Sequence, residues 1–578
     1  MFAHDARHTV YFMQMFDAAL RDGALFPRWA TDMVFGYGYP VWLILAPLPY
    51  YGAEFFHLLG LDFPSSIKAI EAVGWFASGL GMYLFASRVL GKDGGLVAAI
   101  AYLFAPYHIV DLYVRGAMAE FLAFVFPPFV LWGIEQIFST RRTLYVPLTA
   151  LAYGAMLLTH VQMTVLFSPV IAGYMVVMWL SGRNQNTENR AQITQSPNHP
   201  ITQSPNLSIS PSLHLSISES PLLRAALAIL WGVALAAVFF LPILVEQRYL
   251  TNDPLIGGFF NFRLHFVNPS QLLSPFWGYG YAGTNGNDQF SLQLGVMPLF
   301  LSIIALFTHA RREKNSAQIF YFALVTAGAV FAMLAPSTPL WELAAPIVAF
   351  TQFPWRVLFV SAFALAFLAG ASLRAISQQE SFIAALILSL IVAFAMFPYA
   401  RPQYTETQFT WNTMMDFQVK DRELLGDTVW VQTRPEDSPL VEQYRAGNIT
   451  RKAIVLEGDA SSRRMPDSSG VRDDASGDAL IELLERRALG DTVRVTANTP
   501  TRIQFYTRYF PGWTATIDGN AVPIEPYGEQ GLITLNVPAG THLVTTRWGT
   551  TTPRVIGAII SLISLLSLFA LIWRTRRT

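Results

Sequence analysis

Residues 355–374 (WRVLFVSAFALAFLAGASLR) and 380–399 (ESFIAALILSLIVAFAMFPY) are two apolar runs separated by a short polar break. Each run has about 20 residues, which as a helix is long enough to cross a hydrocarbon core of about 30 Å. Comparable runs recur along the chain, and the clearest segments are 67–90, 94–108, 117–138, 144–160, 162–181, 222–244, 291–308, 318–335, 355–374, 380–399 and 554–573. The sequence therefore predicts a polytopic α-helical membrane protein with eleven spans.

The composition of the 578-residue chain agrees with this prediction. Hydrophobic residues make up 53% of the chain and charged residues 13%, whereas a soluble protein has roughly 25% charged residues. Lys+Arg and Asp+Glu are both 39, so the balance of charge does not indicate a nucleic-acid partner, and we predict none. The chain has no cysteine, which excludes disulfides, iron–sulfur clusters and thiolate zinc sites.

Basic residues predict the orientation of the spans, because Lys and Arg are enriched in cytoplasmic loops. If the eleven segments alternate in direction, six basic groups that flank spans all fall on one side, which we take as the cytoplasm. These groups are Arg88 with Lys92, Arg141 with Arg142, Arg183 with Arg190, the Arg311-Arg312-Lys314 cluster, Arg374, and the terminal Arg574, Arg576 and Arg577. Residues 1–66, 109–116, 245–290, 336–354 and 401–553 are then outside, and the C-terminus is cytoplasmic.

One apolar segment and the N-terminus complicate this topology. Residues 41–60 contain Pro47, Pro49 and Glu54, and we interpret them as interfacial or re-entrant helices, because prolines and aromatic residues favour the headgroup region. A spanning helix at 41–60 is the alternative, and it would place the N-terminus in the cytoplasm. An outer N-terminus with no span before it also leads us to expect a further, first helix upstream, which would give twelve spans.

Two segments outside the spans differ from the rest in composition. Residues 184–220 repeat ITQSPN and are rich in Ser, Pro, Asn and Gln, so we predict a disordered cytoplasmic insertion. Residues 401–553 alternate like strands at 492–497, 501–509, 514–518, 521–525, 532–537 and 542–548, with a hairpin turn at Asp518-Gly519. We predict an extracytoplasmic β-sandwich there. Its tryptophans either form the core or stack on sugar rings, and they are Trp411, Trp430, Trp513 and Trp548.

The predicted organisation has four parts. A first outer loop with interfacial helices covers 1–66, and a transmembrane domain covers 67–400. The β-rich domain covers 401–553, and the last helix with a basic tail covers 554–578.

Several stretches of the sequence resemble known bacterial membrane proteins. HDARH at 4–8, LFPRWATDMVFGYGYP at 25–40, LYVRGAMAE at 112–120 and QFPWR at 352–356 resemble proteins labelled 6-pyruvoyl-tetrahydropterin synthase-related. YFPGWTATIDGNAVPIEP at 509–526 resembles the end of YfhO-type membrane proteins. Both groups are similar to the GT-C superfamily, whose members transfer sugars from polyprenyl-phosphate carriers on the outer membrane face.

This resemblance implies a GT-C-like fold in the bacterial cytoplasmic (inner) membrane. It also implies that the partners are membrane lipids and a polyprenyl-phosphate-linked sugar. Pterin chemistry is not predicted, because the ten histidines are scattered and no compact zinc-binding domain is visible.

The resemblance also implies where the reaction would take place. GT-C enzymes carry an acidic residue in the first outer loop, and the matching residue is Asp5. Its carboxylate would act as general base and take the proton from an acceptor hydroxyl. The leaving phosphate needs cations or hydrogen-bond donors. The predicted substrate- or phosphate-binding residues are His4, His8, Arg115, Glu120 and Arg356, with Glu120 able to pair with Arg115.

These residues also have structural interpretations. Asp5 could cap the helix that follows it, and Arg115 and Arg356 could anchor helices at the interface. Arg28 and Asp32 lie at helical spacing, where a structural ion pair is at least as good an interpretation as a site. His160 fits a buried, hydrogen-bonded histidine.

The sequence predicts a membrane glycosyltransferase, or alternatively a non-catalytic membrane scaffold or lipid- and polysaccharide-handling protein of the same fold. No cofactor is predicted with certainty, and a divalent metal is left open. The sequence predicts no oligomeric state.

Overall fold

The computed structural model describes residues 3–194, 220–251, 257–309, 316–377, 379–406, 408–456 and 479–575. Helices make up most of the chain to residue 399, and nine antiparallel strands form a domain ahead of the last helix. Each of the eleven apolar segments corresponds to one helical unit.

Seven helical units are long and apolar enough to cross a membrane. They are Phe63–Leu90, Lys92–Arg115, Met118–Thr140, Val161–Gly182, Pro354–Arg374, Ser381–Tyr399 and Thr552–Thr575. Two more are bent pairs, Pro221–Leu235 with Ala237–Tyr249 (69°) and Ala317–Met333 with Ala335–Thr351 (91°), and two are shorter, Tyr145–Thr159 and Val296–Thr308. The described residues thus contain seven spans, or up to nine if each bent pair is one span. This number is below eleven because four apolar segments fold into bent or short helices.

Several of these units are composite. Lys92–Arg115 consists of Lys92–Leu103, Pro106–Val110 and a π-helical turn at Asp111–Arg115, and Met118–Thr140 consists of Met118–Ala123 and Phe126–Thr140. The helix Leu358–Ala371 is the centre of the domain, because all 14 of its residues are buried. A Cβ on Gly370 would lie 2.3 Å from the Gly94 carbonyl oxygen, so glycine is required for the close packing of these two helices.

The loops of the helical domain group at two ends. At one end, Leu250 bridges to Thr428, Arg263 pairs with Glu342, and the N-terminus bonds to the 111–115 turn. At the other end lie basic residues: Arg224 donates to the Arg141 carbonyl at 2.6 Å, and Arg374 donates to the Val89 carbonyl at 2.6 Å. The regions predicted to share the outer side therefore meet at one end of the domain. Which membrane face that end occupies stays a prediction.

The β-rich domain, which we call the outer domain after its predicted location, is a sandwich of two antiparallel sheets. Its strands are β1 (Ala453–Leu456), β2 (Ala479–Arg487), β3 (Gly490–Ala497), β4 (Thr501–Arg508), β5 (Trp513–Ile517), β6 (Asn520–Val522), β7 (Glu525–Tyr527), β8 (Leu532–Val537) and β9 (Gly540–Trp548). One sheet has the order β1-β4-β8-β7 and the other β2-β3-β9-β5-β6. Phe505 and Leu535 of the first sheet share one core with Val493 and Val544 of the second, which confirms the predicted sandwich.

The turn and most of the strands predicted from the sequence of this domain are present in the structure. Asp518 (φ +51°) and Gly519 (φ +83°) connect β5 and β6 as the predicted hairpin turn. The strand predicted at 521–525 is divided between β6 and β7, and β1 and β2 were not predicted.

The first 50 residues are integrated into the core of the outer domain. Trp29 lies edge-to-face against Trp513 with ring centroids 5.4 Å apart, and 4.9 Å from Trp548. Gly38 has φ +86°, and a Cβ there would lie 2.5 Å from the Trp29 ring, so this turn requires glycine. The helices of this region are Ala6–Arg21 and Leu48–Leu58. The second has 11 residues and is too short to span, so residues 41–60 do not form one crossing helix.

Parts of two predicted loops fall outside the described residues. The helix Val161–Thr194 continues into the predicted insertion 184–220, but residues 195–219 are not described, and the predicted disorder stays a prediction. Residues 457–478 of the predicted β-rich domain and the basic residues Arg311, Arg312, Lys314, Arg576 and Arg577 also lie outside the described residues.

Candidate functional site

A tight turn brings charged residues together where the span Lys92–Arg115 ends. Asp111–Arg115 forms a single π-helical turn, and Gly116 (φ +61°) ends it. A Cβ on Gly116 would lie 2.8 Å from the Ala3 Cβ, so the N-terminal segment can pass close to this turn. π-helical turns are often found at functional sites.

The charged side chains of this turn form a buried network. Arg115 lies with Nη1 2.5 Å from Asp111 Oδ1 and 2.8 Å from Glu120 Oε2. Tyr107 accepts a hydrogen bond from Arg115 at 3.1 Å and donates one to Glu120. Arg115, Asp111 and Glu120 are at most 5% exposed. The expected pairing of Glu120 with Arg115 is confirmed, and charges at this depth persist because they are paired.

Arg356 joins the network from a different helical unit, Pro354–Arg374. Its Nε lies 3.3 Å from Glu120 Oε2, so Glu120 bridges the two arginines. Its Nη1 donates to the Gln162 side chain at 3.0 Å, to the Thr351 carbonyl at 2.7 Å and to the Gln352 side chain at 3.1 Å.

The backbone that carries Arg356 is held in a rare conformation. Gln352 has φ +65° although it is not glycine, and such strain is typical of functional sites. The Arg115 guanidinium also lies 4.9 Å above the Trp355 ring, where cation–π attraction holds it in place. The QFPWR motif thus contributes one arginine and an aromatic support for the other.

Asp5 lies directly against this network. Its main-chain N–H donates to the Arg115 carbonyl at 2.7 Å, and the His4 N–H donates to the Val114 carbonyl at 3.2 Å. Asp5 occupies the N-cap position of Ala6–Arg21, but its side chain makes no capping hydrogen bond, so the capping interpretation is not supported. The half-buried carboxylate is close enough to interact electrostatically with Arg115 and His4.

His4 is fixed by an outer loop. Its ring stacks on Tyr281 with centroids 4.5 Å apart, and its Nε2 lies 3.3 Å from the Tyr279 carbonyl oxygen. Burial lowers the pKa of His4 below its usual range although Asp5 opposes this shift. The ring is therefore neutral at pH 7 and can donate or accept a hydrogen bond.

Three other predicted residues lie apart from the network. His8 points to the outer domain, where Nε2 lies 3.0 Å from Glu423 Oε2. Arg28 and Asp32 do not pair with each other, because they lie in a non-helical loop. Arg28 donates to the Val238 carbonyl at 2.5 Å, and Asp32 accepts from Arg486 at 2.8 Å. The expected ion pair between Arg28 and Asp32 is therefore wrong.

His160 and the tryptophans have mostly structural surroundings. His160 is half-buried, accepts a hydrogen bond from the Met163 N–H at 3.4 Å, and lies within electrostatic reach of Glu120. Trp513 is buried in the sandwich core, Trp430 and Trp548 are partly buried there, and Trp411 is 43% exposed.

The sequence reasoning missed Tyr107, Asp111 and Gln162. Asp111 had a detectable signal, because it lies four residues before Arg115 in otherwise apolar sequence, and such i,i+4 pairs face each other on a helix. Gln162 had no comparable signal, since its contact with Arg356 joins residues 194 positions apart.

An apolar cavity of about 360 Å³ lies near the start of the span that carries Arg356. It lies between the helices Val161–Thr194, Ser316–Met333 and Thr338–Val348 and the start of Pro354–Arg374, and Val357 follows Arg356 directly in its wall. Its other lining residues include Leu166, Val170, Tyr321, Val348 and Val360. The right-angle bend between Ala317–Met333 and Ala335–Thr351 leaves this space open.

Among the described residues, no three His, Asp or Glu side chains are grouped so that they could hold a metal ion. The groups beside the network that could serve a reaction are the Asp5 carboxylate, which can accept a proton, and the His4 ring, which can form a hydrogen bond.

Comparisons with known proteins give distant similarities. No family model matches the chain. An uncharacterized protein of Lactococcus lactis subsp. cremoris (strain MG1363) is 23% identical over 172 residues, which cover 29% of this chain and 28% of that protein.

Two of the similar solved structures are named for glycosyl-transfer reactions. They are arabinofuranosyltransferase AftD from Mycobacteria (TM-score 0.41, 16% identity, 73% of this chain and 28% of that chain) and the Archaeoglobus fulgidus oligosaccharyltransferase (TM-score 0.39, 12% identity, 77% and 56%). This chain spans less than a third of the Lactococcus protein and of AftD, and about half of the oligosaccharyltransferase. With TM-scores below 0.5, these similarities establish no shared activity.

Proposed function

We propose that this protein is a membrane glycosyltransferase that moves a sugar from a polyprenyl-phosphate donor to a cell-envelope acceptor on the outer membrane face. The observation that carries the proposal is the position of Asp5. Its carboxylate makes no capping bond, and it lies beside Arg115 at the end of a span. This arrangement combines a base with a cation at the predicted boundary between membrane and water.

The lipid part of the donor fits the apolar cavity. A polyprenyl chain needs a groove without polar groups, and the walls of this cavity are formed mostly by aliphatic side chains. Val357, which follows Arg356 in the chain, forms part of the wall, and we place the phosphate at the head of the lipid chain near the Arg356 guanidinium. Arg–phosphate hydrogen bonds are charge-assisted and strong.

The reaction follows from these positions. Asp5 takes the proton of the acceptor hydroxyl while its oxygen forms a bond to the anomeric carbon of the donor sugar. The bond between that carbon and the phosphate oxygen breaks, and the electron pair leaves with polyprenyl phosphate. Arg356 and Arg115 stabilise the negative charge that develops on this phosphate.

Glu120 and Asp111 act as positioning residues in this scheme. Two carboxylates and two guanidinium groups balance one another in the network, so the arginines are held in place before substrate binds. Such preorganisation avoids the cost of reorienting charges during the reaction. His4 would orient the acceptor through a hydrogen bond.

The alternative is a non-catalytic scaffold or a lipid- and polysaccharide-handling protein. One observation favours it: Arg115 is already paired with Asp111 and Glu120 and is only 5% exposed. In that case the network would stabilise the helices and Asp5 would have no chemical task.

A transfer assay separates the two functions. Membranes containing the protein are incubated with radiolabelled polyprenyl-phosphate sugars, and label in envelope polymers is measured for the unmodified protein, Asp5→Asn and Asp17→Asn. Asp17 is the matched control, because it lies in the same helix and its carboxylate is engaged by Arg21 at 2.7 Å.

We expect transfer by the unmodified protein and by Asp17→Asn, and loss of at least about 100-fold in Asp5→Asn, the usual scale of general-base catalysis. Equal transfer by Asp5→Asn would remove this residue from the mechanism. Absence of transfer from every donor, with folded protein in the membrane, would favour the scaffold.

A further inference from the structure

A tyrosine beside the candidate base has one open face. Tyr281 is 61% exposed, and its ring stacks on His4 with centroids 4.5 Å apart and an interplanar angle of 25°. His4 precedes Asp5 directly. A solvent-accessible aromatic ring therefore contacts the residue that directly precedes Asp5 in the chain.

The loop that carries Tyr281 is built to hold this position. The Tyr281 carbonyl accepts a hydrogen bond from the Gln289 N–H at 3.0 Å, and the Gly280 N–H donates to the Gln289 carbonyl at 3.1 Å. A Cβ on Gly280 would lie 2.4 Å from the Gln289 side chain, and one on Gly278 would lie 2.1 Å from the Gln289 carbonyl oxygen. The close packing of this hairpin needs both glycines, so the exposure of Tyr281 is set by a rigid loop.

The same aromatic contacts lead to the charged network. Phe290 lies edge-to-face against His4 at 6.0 Å and against Trp355 at 5.3 Å, and Trp355 supports Arg115. Through the face that stacks on His4, Tyr281 is thus connected by aromatic contacts to the groups assigned to the leaving phosphate, and its ring is otherwise exposed.

We infer that Tyr281 is the platform of an acceptor site for a saccharide, resting on the proposed glycosyl transfer. An aromatic ring with an apolar face and a polar hydroxyl suits a ligand that is apolar on one face and polar at its edge, and a pyranose or furanose ring has this character. One sugar hydroxyl then reaches Asp5, which removes its proton as the new glycosidic bond forms. A lipid or protein acceptor without a sugar ring would not use this face.

Binding can be measured without transfer, so failure of this inference is distinguishable from failure of the proposed reaction. The probe is an array of defined pyranose and furanose oligosaccharides, applied to the full chain purified in detergent, and the tightest binder is then titrated. The variants are Tyr281→Ala, Tyr281→Phe, which keeps the ring, and Tyr527→Ala. Tyr527 is a matched control, because it is 39% exposed on strand β7 of the outer domain.

We expect at least one oligosaccharide to bind the unmodified protein and Tyr281→Ala to weaken it about tenfold, which corresponds to 1.4 kcal/mol. Tyr281→Phe and Tyr527→Ala should change affinity less than about threefold. Where transfer is measurable, Tyr281→Ala should raise KM for the acceptor more than it lowers kcat. Failure of every oligosaccharide to bind, or equal binding by Tyr281→Ala, would overturn the inference whether or not transfer occurs.

Discussion

Replacing Glu120 by glutamine tests the buried network directly. The Glu120 side chain is 2% exposed and lies 2.8 Å from Arg115 Nη1 and 3.3 Å from Arg356 Nε. Glutamine keeps the volume and one acceptor oxygen but removes the charge. Arg115 then retains the Asp111 carboxylate, whereas Arg356 retains only neutral acceptors among the described residues.

The expected loss of stability follows from burial. Removing one partner of a buried ion pair costs about 3–5 kcal/mol, because the remaining charge is left uncompensated. We expect the lower end, about 3 kcal/mol, since glutamine still accepts a hydrogen bond. The assay is denaturant titration of the purified protein in detergent micelles, followed by tryptophan fluorescence, with the free energy of unfolding compared between variants.

A surface pair on the same end of the domain is the control. Arg263 contacts Glu342 through two 2.5 Å hydrogen bonds, but their side chains are 50% and 40% exposed. An exposed pair contributes at most about 1 kcal/mol, so Glu342→Gln should change the free energy of unfolding by no more than that. Equal losses in Glu120→Gln and Glu342→Gln, or no loss in the former, would refute the reasoning. Adding Arg356→Gln to Glu120→Gln should recover part of the loss, because it removes the unpaired charge.

Three further predictions concern the outer domain and the orientation of the chain. Gly38→Ala should destabilise the protein by about 2–4 kcal/mol in the same titration, because its Cβ would lie 2.5 Å from an indole ring at a positive φ. Gly23→Ala shares the positive φ but has open space, so a loss equal to that of Gly38→Ala would show that the clash is irrelevant. Burial raises the pKa of Asp491 from 3.8 to about 6. The stability that it contributes is therefore full below pH 3.8 and is lost as pH rises through about 6. In Asp491→Asn, the free energy of unfolding should therefore depend less on pH between about pH 4 and 7 than in the unmodified protein. An unchanged slope would show that other groups cause the pH dependence in this range. Because the chain has no cysteine, Asn520→Cys and Arg142→Cys can be labelled singly with a membrane-impermeant maleimide. The first should react in intact cells and the second only after permeabilisation, and the reverse pattern would invert the predicted topology.

Hydropathy predicted the helical units well because burial in lipid requires long apolar segments with satisfied backbone hydrogen bonds. It could not predict the bends. The break between Met333 and Ala335 turns the chain by 91° within an apolar stretch, where the cost of bending is decided by packing against other helices. The span at 222–244 was located correctly but expected to be a single helix, whereas it bends after Leu235. The span at 318–335 is a single helix that ends at Met333, but the second limb of the bent pair, Ala335–Thr351, lies in residues predicted as an outer loop.

In the outer domain, the alternation of apolar and polar residues predicted the strands that bury one face. Strand β3 reads as alternation because Val493 and Val495 are buried and Arg494 is exposed. Strand β2 was missed because six of its nine residues are exposed and four are charged, so that its pairing with β3 and not its own pattern defines it as a strand.

The candidate site was predicted only as far as single residues allow. Arg115, Glu120 and Arg356 were identified as charges next to spans, which are often functional. Their convergence depends on contacts between residues more than 190 positions apart, such as Gln162 with Arg356. His8 lies away from the network because it contacts Glu423, a residue 415 positions away in the chain. Helical spacing between His4 and His8 cannot predict such a contact.

The shared core of the first loop and the outer domain has a consequence for biosynthesis. Trp29 leaves the ribosome more than 480 residues before its ring partners Trp513 and Trp548. At roughly 5–20 residues per second, the first loop waits on the order of 25–100 s for the strands that cover its indole. During that interval the aromatic residues of the loop that pack on the later domain lack these partners, such as Tyr37, whose ring lies 6.5 Å from that of Tyr506 in the finished molecule. Assembly of the N-terminal loop is therefore one of the last steps of folding, and truncation after residue 400 would leave that loop without the surface on which it folds.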